Sequence, residues 1–324
     1  MGKLRTIVGK LIEAALVVLG IATINFFLLQ LAPGDAAEVL AGEAGSATPE
    51  YMAALRERFG LDQPVAVQFL HYIANILTLD LGYSFRQGMP VLSLILQRLP
   101  ATLLLTLSGL CFAIGVGCAM GVAAARYKDR FPDLVISTVA LIFYATPIFW
   151  IGLLLIVFGS VYLGLFPTGG IMTVSGTFTP LERALDVLWH LVLPMLTVGL
   201  FYLAIYARLM RASVLSVQEQ DFVRTAVAKG VRRSRLLSRH IIRNALLPVV
   251  TMAGLHISAI LGGAVLAETV FSWPGLGRLA VEALLQRDLN LLLGILLCSS
   301  VLVIVVNIIV DLVYRMLDPR IDLA

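Results

Sequence analysis

Six stretches of this chain, residues 14–34, 99–125, 134–181, 187–207, 244–267 and 289–310, contain no charged side chain. Each is long enough for an α-helix to cross a bilayer, which takes about 20 apolar residues at 1.5 Å rise per residue. The run 134–181 contains Gly164, Pro167, Gly169 and Gly170, so it is expected to form one span to about Gly164 and then a loop. Composition agrees: 59% of the 324 residues are hydrophobic and 14% charged. Soluble domains average about 45–50% apolar and about 25% charged. Too few charges remain to cover a soluble surface, and there is too much apolar surface for a disordered chain. The expected fold class is an all-α polytopic membrane protein with six transmembrane helices.

The basic residues set the orientation. Lys3, Arg5 and Lys10 precede the first stretch, and Arg126, Lys128 and Arg130 follow the second. Nine lie in the loop after the fourth: Arg208, Arg211, Arg224, Lys229, Arg232, Arg233, Arg235, Arg239 and Arg243. With Arg315 and Arg320 they make seventeen on one side, against seven on the other (Arg56, Arg58, Arg86, Arg98, Arg183, Arg278 and Arg287). The positive-inside rule then makes both termini cytoplasmic. A net charge of +4 points to no nucleic-acid partner. The first stretch exceeds a signal-peptide core of about 7–15 residues and runs into Pro33-Gly34-Asp35, so it is expected to stay as a helix. Cys111, Cys118 and Cys298 all fall within spans and read as small buried hydrophobes.

Three regions follow: residues 1–31 as a cytoplasmic segment with the first span, 32–98 as an extracytoplasmic cap, and 99–324 as a core carrying the cytoplasmic loop 208–247. In the cap, seven acids face four arginines. Helical patterns run over 49–59, with Thr48 as N-cap and Gly60 as stop, and from 64 to about 79. This is too little for an enzyme domain. In the loop, Phe222, Val223, Ala226, Val227 and Gly230 form one apolar stripe, while Arg224 and Lys229 fall off it. This short helix reads as a knob offered to another protein, or as an amphipathic helix on the membrane surface. Beyond Gly230, Arg232, Arg235, Arg239 and Arg243 share one helical face and Leu236, Leu237, Ile241 and Ala245 another, a pattern drawn to anionic lipid. Pro248 marks the entry to the fifth span.

Enzyme chemistry is missing. There is no phosphate loop, since Gly9-Lys10 lacks the upstream glycine and the Ser/Thr, and no H-E-x-x-H or C-x-x-C. His71, His190, His240 and His256 are scattered. No cofactor, metal site or catalytic residue is expected. Intramembrane ionisable groups are functional candidates by default. His256 is therefore a candidate for lining a pathway, or a neutral imidazole bonded to a neighbouring helix. Glu268 lies about 120° around the helix from it and is expected to anchor the turn 272–277. Glu268, Trp273, Pro274 and Gly275 are the structural or outer-gate candidates. Asn25, Gln30 and Asn307 are expected to bond between helices. Gly117 and Gly121 should allow close helix packing. Trp150, Trp189 and Trp273 read as interfacial anchors.

The segment Asp221-Phe222-Val223-Arg224-Thr225-Ala226-Val227-Ala228-Lys229-Gly230, with Asn244-Ala245-Leu246-Leu247-Pro248 behind it, resembles the E-A-A loop of bacterial ABC importer permeases. Arg224 stands at the Glu position, Thr225 at the first Ala, and the stretch to Pro248 is longer than the general pattern. Both departures resemble the dipeptide/oligopeptide/nickel permease subfamily. Leu31-Ala32-Pro33-Gly34-Asp35, Phe59-Gly60-Leu61-Asp62-Gln63-Pro64, Asp80-Leu81-Gly82-Tyr83-Ser84, Arg98-Leu99-Pro100-Ala101-Thr102, Glu268-Thr269-Val270-Phe271-Ser272-Trp273-Pro274-Gly275-Leu276-Gly277 and Leu317-Asp318-Pro319-Arg320 are similar to its other signatures. The similarity covers essentially the whole chain and is to the first permease subunit, the one with the large outer loop.

The resemblance implies a type I ABC importer permease fold in a bacterial inner membrane. It implies a pore shared with a second, different permease subunit, two cytoplasmic ATP-binding subunits, and an extracytoplasmic solute-binding protein. Asp221, Phe222, Val223, Arg224, Thr225, Ala226, Val227, Lys229 and Gly230 would couple to the ATPase. The substrate would be a di- or oligopeptide, moved by alternating access. Nickel complexes, glutathione and an ATP-independent secondary transporter are the alternatives.

Overall fold

The computed structural model describes residues 2–31, 62–174 and 178–317, with Thr48, Ala53 and Glu57 besides. Helix α1 (Gly2–Leu31) and α2 (Val65–Leu77) precede an antiparallel two-residue pairing of β1 (Tyr83–Ser84) with β2 (Met89–Pro90). Helices α3 (Val91–Arg126), α4 (Phe131–Ala145) and α5 (Ile148–Leu155) follow, α5 continuing as a π-helical turn, Ile156–Tyr162. Next come α6 (Pro180–Gln218) and α7 (Asp221–Ala228). A helical turn, Arg233–Arg235, and a π-helical segment, Leu236–Ile242, lead into α8 (Arg243–Val270). Helices α9 (Leu276–Leu285) and α10 (Leu289–Leu317) complete the order. Of the helical pattern expected over 49–59, Ala53 and Glu57 are described and both are helical; the rest lies outside the described residues.

Among the described residues, four helices are long and apolar enough to cross a membrane: Ile12–Leu31, Val91–Arg126, Pro180–Gln218 and Leu289–Val310. The apolar run 244–267 lies within α8. The run from 134 is interrupted before Gly164: α4 and α5 meet at a bend of 105°. Pro147 is the cause. It lacks an N–H for the helical ladder, and its ring pushes the residue before it out of the helical region. Thr146 is accordingly extended (φ −86°, ψ 130°), and Pro147 starts the next helix. The start of α6 is also locally encoded. Thr179 and Glu182 form a reciprocal capping box with Pro180 in the first turn.

The chain divides into two compact units. The first comprises Met1–Arg98 and Leu279–Val305. In it, buried Asn25 of α1 donates its side-chain N–H to the Leu293 carbonyl at 3.2 Å. Phe26 packs edge-on against Phe69 of α2, ring centroids 5.2 Å apart, and Gln30 donates to Gln68 at 2.8 Å. Buried Asp288, at the turn before α10, accepts from the Ser84 hydroxyl of β1 and from the Leu291 N–H.

The second unit comprises Leu99–Arg278 and Val306–Ala324. Its core gathers Leu105, Leu110 and Ala113 of α3 with Val198, Leu203, Tyr206, Met210 and Val214 of α6. Gly117 and Gly121 let these helices meet: a Cβ added at each would fall 2.9 Å from the Tyr206 Cβ and 2.7 Å from the Met210 Cβ. The cysteines differ from expectation, since Cys111 is exposed on the chain and Cys118 and Cys298 are half-buried. Cys118 packs against the core from its edge, and a span's surroundings are apolar on every side, so residue type alone does not set the depth of burial.

Candidate functional site

Helix α7 follows α6 after two residues, Glu219 and Gln220. The extended Gln220 offers its carbonyl to the N–H groups of Val223 and Arg224 at 3.0 and 3.3 Å. Asp221 in the first turn suits the positive end of the helix dipole. At the other end, Gly230 donates to the Val227 carbonyl (2.9 Å) and Val231 to that of Ala226 (3.2 Å). This crossed pair closes a Schellman motif, which needs a left-handed residue between them. Gly230 supplies it with φ +75°.

The apolar stripe of α7 is split by use. Phe222, Ala226, Val223 and Val227 span about 140° of arc around the helix. The middle of that arc, Val223 and Ala226, is buried at 5% and 8% exposure and joins the core with Val214, Val217, Leu236 and Ile241. Its rims, Phe222 and Val227, are 40% and 57% exposed. The apolar knob is therefore smaller than the stripe, because its centre ties α7 to its own chain. Arg224 and Asp221 approach to 3.7 Å, but both are largely exposed, and such a pair stabilises little. Thr225 turns its hydroxyl back to the Asp221 carbonyl at 2.9 Å. Lys229 is the C-cap residue.

Ten residues before α7, Arg211 of α6 grips Asp133 of α4. Its Nε and one terminal N–H donate to the two carboxylate oxygens, each at 2.7 Å. Asp133 is buried, and it also accepts from the Asp129 N–H (3.0 Å) and the Ser137 hydroxyl (3.3 Å). This joint clamps the first turn of α4 to the stretch of α6 that leads into α7. Sequence reasoning counted Arg211 only as a cytoplasmic charge and passed over Asp133. The available signal was an acid standing immediately before the longest uncharged run.

At the far end of α8, Glu268 is fully buried. It accepts from the Thr102 hydroxyl of α3 (2.7 Å) and from the Arg278 backbone N–H (2.9 Å). Thr102 in turn accepts from the Leu276 N–H at 2.7 Å. A Cβ on Gly275 would collide with the Glu268 carboxyl, so only glycine lets the backbone lie there. Pro274 is bridged by a Gly275 N–H to Trp273 carbonyl bond of 2.8 Å, a tight three-residue turn. Trp273 is a correction. It is no interfacial anchor but wholly buried, its indole N–H donating to the Ala101 carbonyl at 2.8 Å. Large aromatic rings serve either place, and only the partner for the N–H decides. Trp150 and Trp189 are by contrast half exposed.

His256 of α8 meets the Tyr206 hydroxyl at 3.1 Å through Nδ1 and lies against the Tyr202 ring, centroids 5.2 Å apart. Glu268 and His256 thus serve different neighbours. Thr102 is a site residue that the sequence marks only as part of the Arg98–Thr102 motif.

This fold defines a helical membrane protein in which the long helix α6 leads into the short, partly exposed helix α7. The chain belongs to the family of binding-protein-dependent transport system inner membrane components, whose model matches residues 113–323. The N-terminal model of the same membrane components matches residues 3–106. It is 39% identical over 321 residues to the oligopeptide transport system permease protein AppB of Bacillus subtilis, covering 98% of each chain. It is 38% identical over 321 residues to the dipeptide transport system permease protein DppB of Escherichia coli, covering 94% of each. In fold it is similar to a chain of the MetNI methionine ABC transporter in inward-facing conformations, with TM-score 0.56, 18% identity, and 69% of this chain and 96% of that chain covered. The protein is a multi-pass inner-membrane permease component of the type I importer fold.

Proposed function

We propose that this chain forms one side of the pore of an ATP-driven peptide importer, together with a second permease subunit. Two cytoplasmic ATP-binding subunits dock on α7, and an extracytoplasmic solute-binding protein delivers peptides. The chain hydrolyses nothing itself. Six spans place both termini in the cytoplasm, with 32–98 as the outer cap, 99–324 as the core and 208–247 as the coupling loop. The basic face of the segment after Gly230 lies against lipid headgroups. The carrying observation is α7: exposed Phe222 and Val227 sit on a helix fastened through Val223 and Ala226 to α6 and to the segment entering α8. A push on Phe222 therefore moves two long helices together. The peptide substrate is supported by the two permeases above, whose names give oligopeptide and dipeptide transport. His256 is proposed to line the pathway; Glu268, Trp273, Pro274 and Gly275 form the outer structural turn.

Phe222→Asp tests the docking role, because Phe222 is half exposed and its loss should leave the chain folded. Co-isolation of the ATP-binding subunit and ATP-driven peptide uptake should both fall about tenfold or more, as for truncation of an interface hot spot. Gly230→Pro, which removes the motif closing α7, should act in the same direction. If both variants keep ATPase association and uptake, α7 is not the coupling element.

A further inference from the structure

Two arginines stand one turn apart on α6 and have opposite surroundings. Arg211 is paired with Asp133. Arg208 is exposed, its guanidinium carbon 4.5 Å from the centre of the Tyr144 ring, and among the described residues no carboxylate pairs with it. In an α-helix each Cα–Cβ bond leans toward the N-terminus. The N-terminus of α6 lies on the outer side in the proposed topology, so Arg208 leans into the span and away from the headgroups behind it. Tyr144 agrees with this direction. It sits in the last turn of α4, eleven residues from Asp133, about 16 Å along the helix and just before the Pro147 break. Arg208 thus stands at the cytoplasmic boundary of the run 187–207 with its side chain turned into the span, where a charge persists if water, a counter-charge or a ligand meets it.

The groups around Arg208 form a row. Tyr144 stacks on Phe201 (centroids 6.1 Å, interplanar 21°), Phe201 meets Tyr202 edge-on at 5.2 Å, and Tyr202 lies against His256. A fixed cation thus ends a run of aromatic faces with polar edges. Guanidinium binds carboxylate through paired charge-assisted hydrogen bonds. Aromatic faces accept apolar side chains of varied shape. A short peptide with a free C-terminus and a variable last side chain has both features.

We propose that this face of α6 is a peptide subsite within the pore, with Arg208 receiving the C-terminal carboxylate and the Phe201–Tyr202–His256 row bounding the adjoining side chains. It rests on the peptide-importer reading. The test uses the assembled transporter in proteoliposomes, with Cys111, Cys118 and Cys298 changed to Ser and Phe201→Cys introduced. A membrane-impermeant methanethiosulfonate labels the new thiol, with dialanine and dialanine amide as protecting probes. The thiol should react, and the free acid should slow labelling about tenfold more than the amide, since a hydrogen bond between charged groups contributes about 1.5–3 kcal/mol. Arg208→Gln should erase that difference and Arg208→Lys should retain part of it. An unreactive thiol places this face against lipid or another subunit and overturns the proposal. Equal protection by acid and amide, or a difference that survives Arg208→Gln, overturns it too. ATP-driven dialanine uptake by the cysteine-free parent separates the failures: with uptake present only the subsite falls, and with none the peptide reading falls as well.

Discussion

Glu268 shows what a single buried carboxylate does here. It is held by a hydroxyl from α3 and a backbone N–H from the start of α9, and it lies where a Gly275 side chain would have to be. Removing it strands the buried Thr102 hydroxyl and the half-buried Arg278 N–H; a buried stranded donor costs about 1–3 kcal/mol, a half-buried one less. Glu268→Ala is therefore expected to destabilise the chain by about 2–4 kcal/mol, read as a lower melting temperature in detergent. Glu268→Gln keeps one acceptor oxygen and should lose less. Equal melting of the Ala variant and the parent would remove Glu268 from the structural role. From sequence, the position of Glu268 on its helix and its nearness to the turn were legible. Its partner Thr102 was not, because 166 residues separate the two. Trp273 was misplaced for a related reason: its composition fits a membrane interface, and the Ala101 carbonyl that takes its N–H is equally distant in sequence.

At the scale of elements, the joint between α4 and α6 matters most. The Arg211 guanidinium bonds Asp133 through two geometrically matched contacts, and two further donors satisfy the carboxylate. Breaking a buried pair leaves one uncompensated charge and costs about 3–5 kcal/mol. Arg211 keeps 29% of its side chain exposed, so Asp133→Asn is expected to cost less, about 1–3 kcal/mol, with solvent screening the stranded cation. Because the joint ties the bent pair α4–α5 to the helix that carries α7, the variant should also weaken the stimulation of ATPase activity by delivered substrate. The double variant Asp133→Arg with Arg211→Asp should restore part of both. A swap that restores nothing, combined with unchanged stimulation in Asp133→Asn, would leave the pair with no part in coupling. The bend at Pro147 belongs to the same element. A proline in an apolar run is visible in the sequence, but by residue type Gly164, Pro167, Gly169 and Gly170 together outweigh it as breakers.

At the scale of the whole molecule, the proposed six spans and their orientation rest on apolar length and charge asymmetry. Lys128→Cys and Arg183→Cys, both at exposed positions in a cysteine-free background, should react with impermeant thiol reagents added on opposite sides of the membrane. Labelling of both from one side would overturn the six-span topology. The described residues form two compact units, and the boundary between residues 98 and 99 falls inside the continuous helix α3. Periodicity within a helix carries no mark of such a division.

What the sequence determined by itself was the solvent: uncharged lengths, the sign of the loops, the short stripe at 222–230 and the motifs of its family. These are local properties, readable within about 30 residues because helix hydrogen bonds close within four residues. Only the tertiary structure decided which face of each apolar helix is buried. It turned Val223 inward and left Phe222 out, hid Trp273, paired Arg211 and left Arg208 over Tyr144. In a chain apolar on every side, hydrophobicity no longer distinguishes inside from outside. The choice falls to close packing and to where each polar group finds its partner.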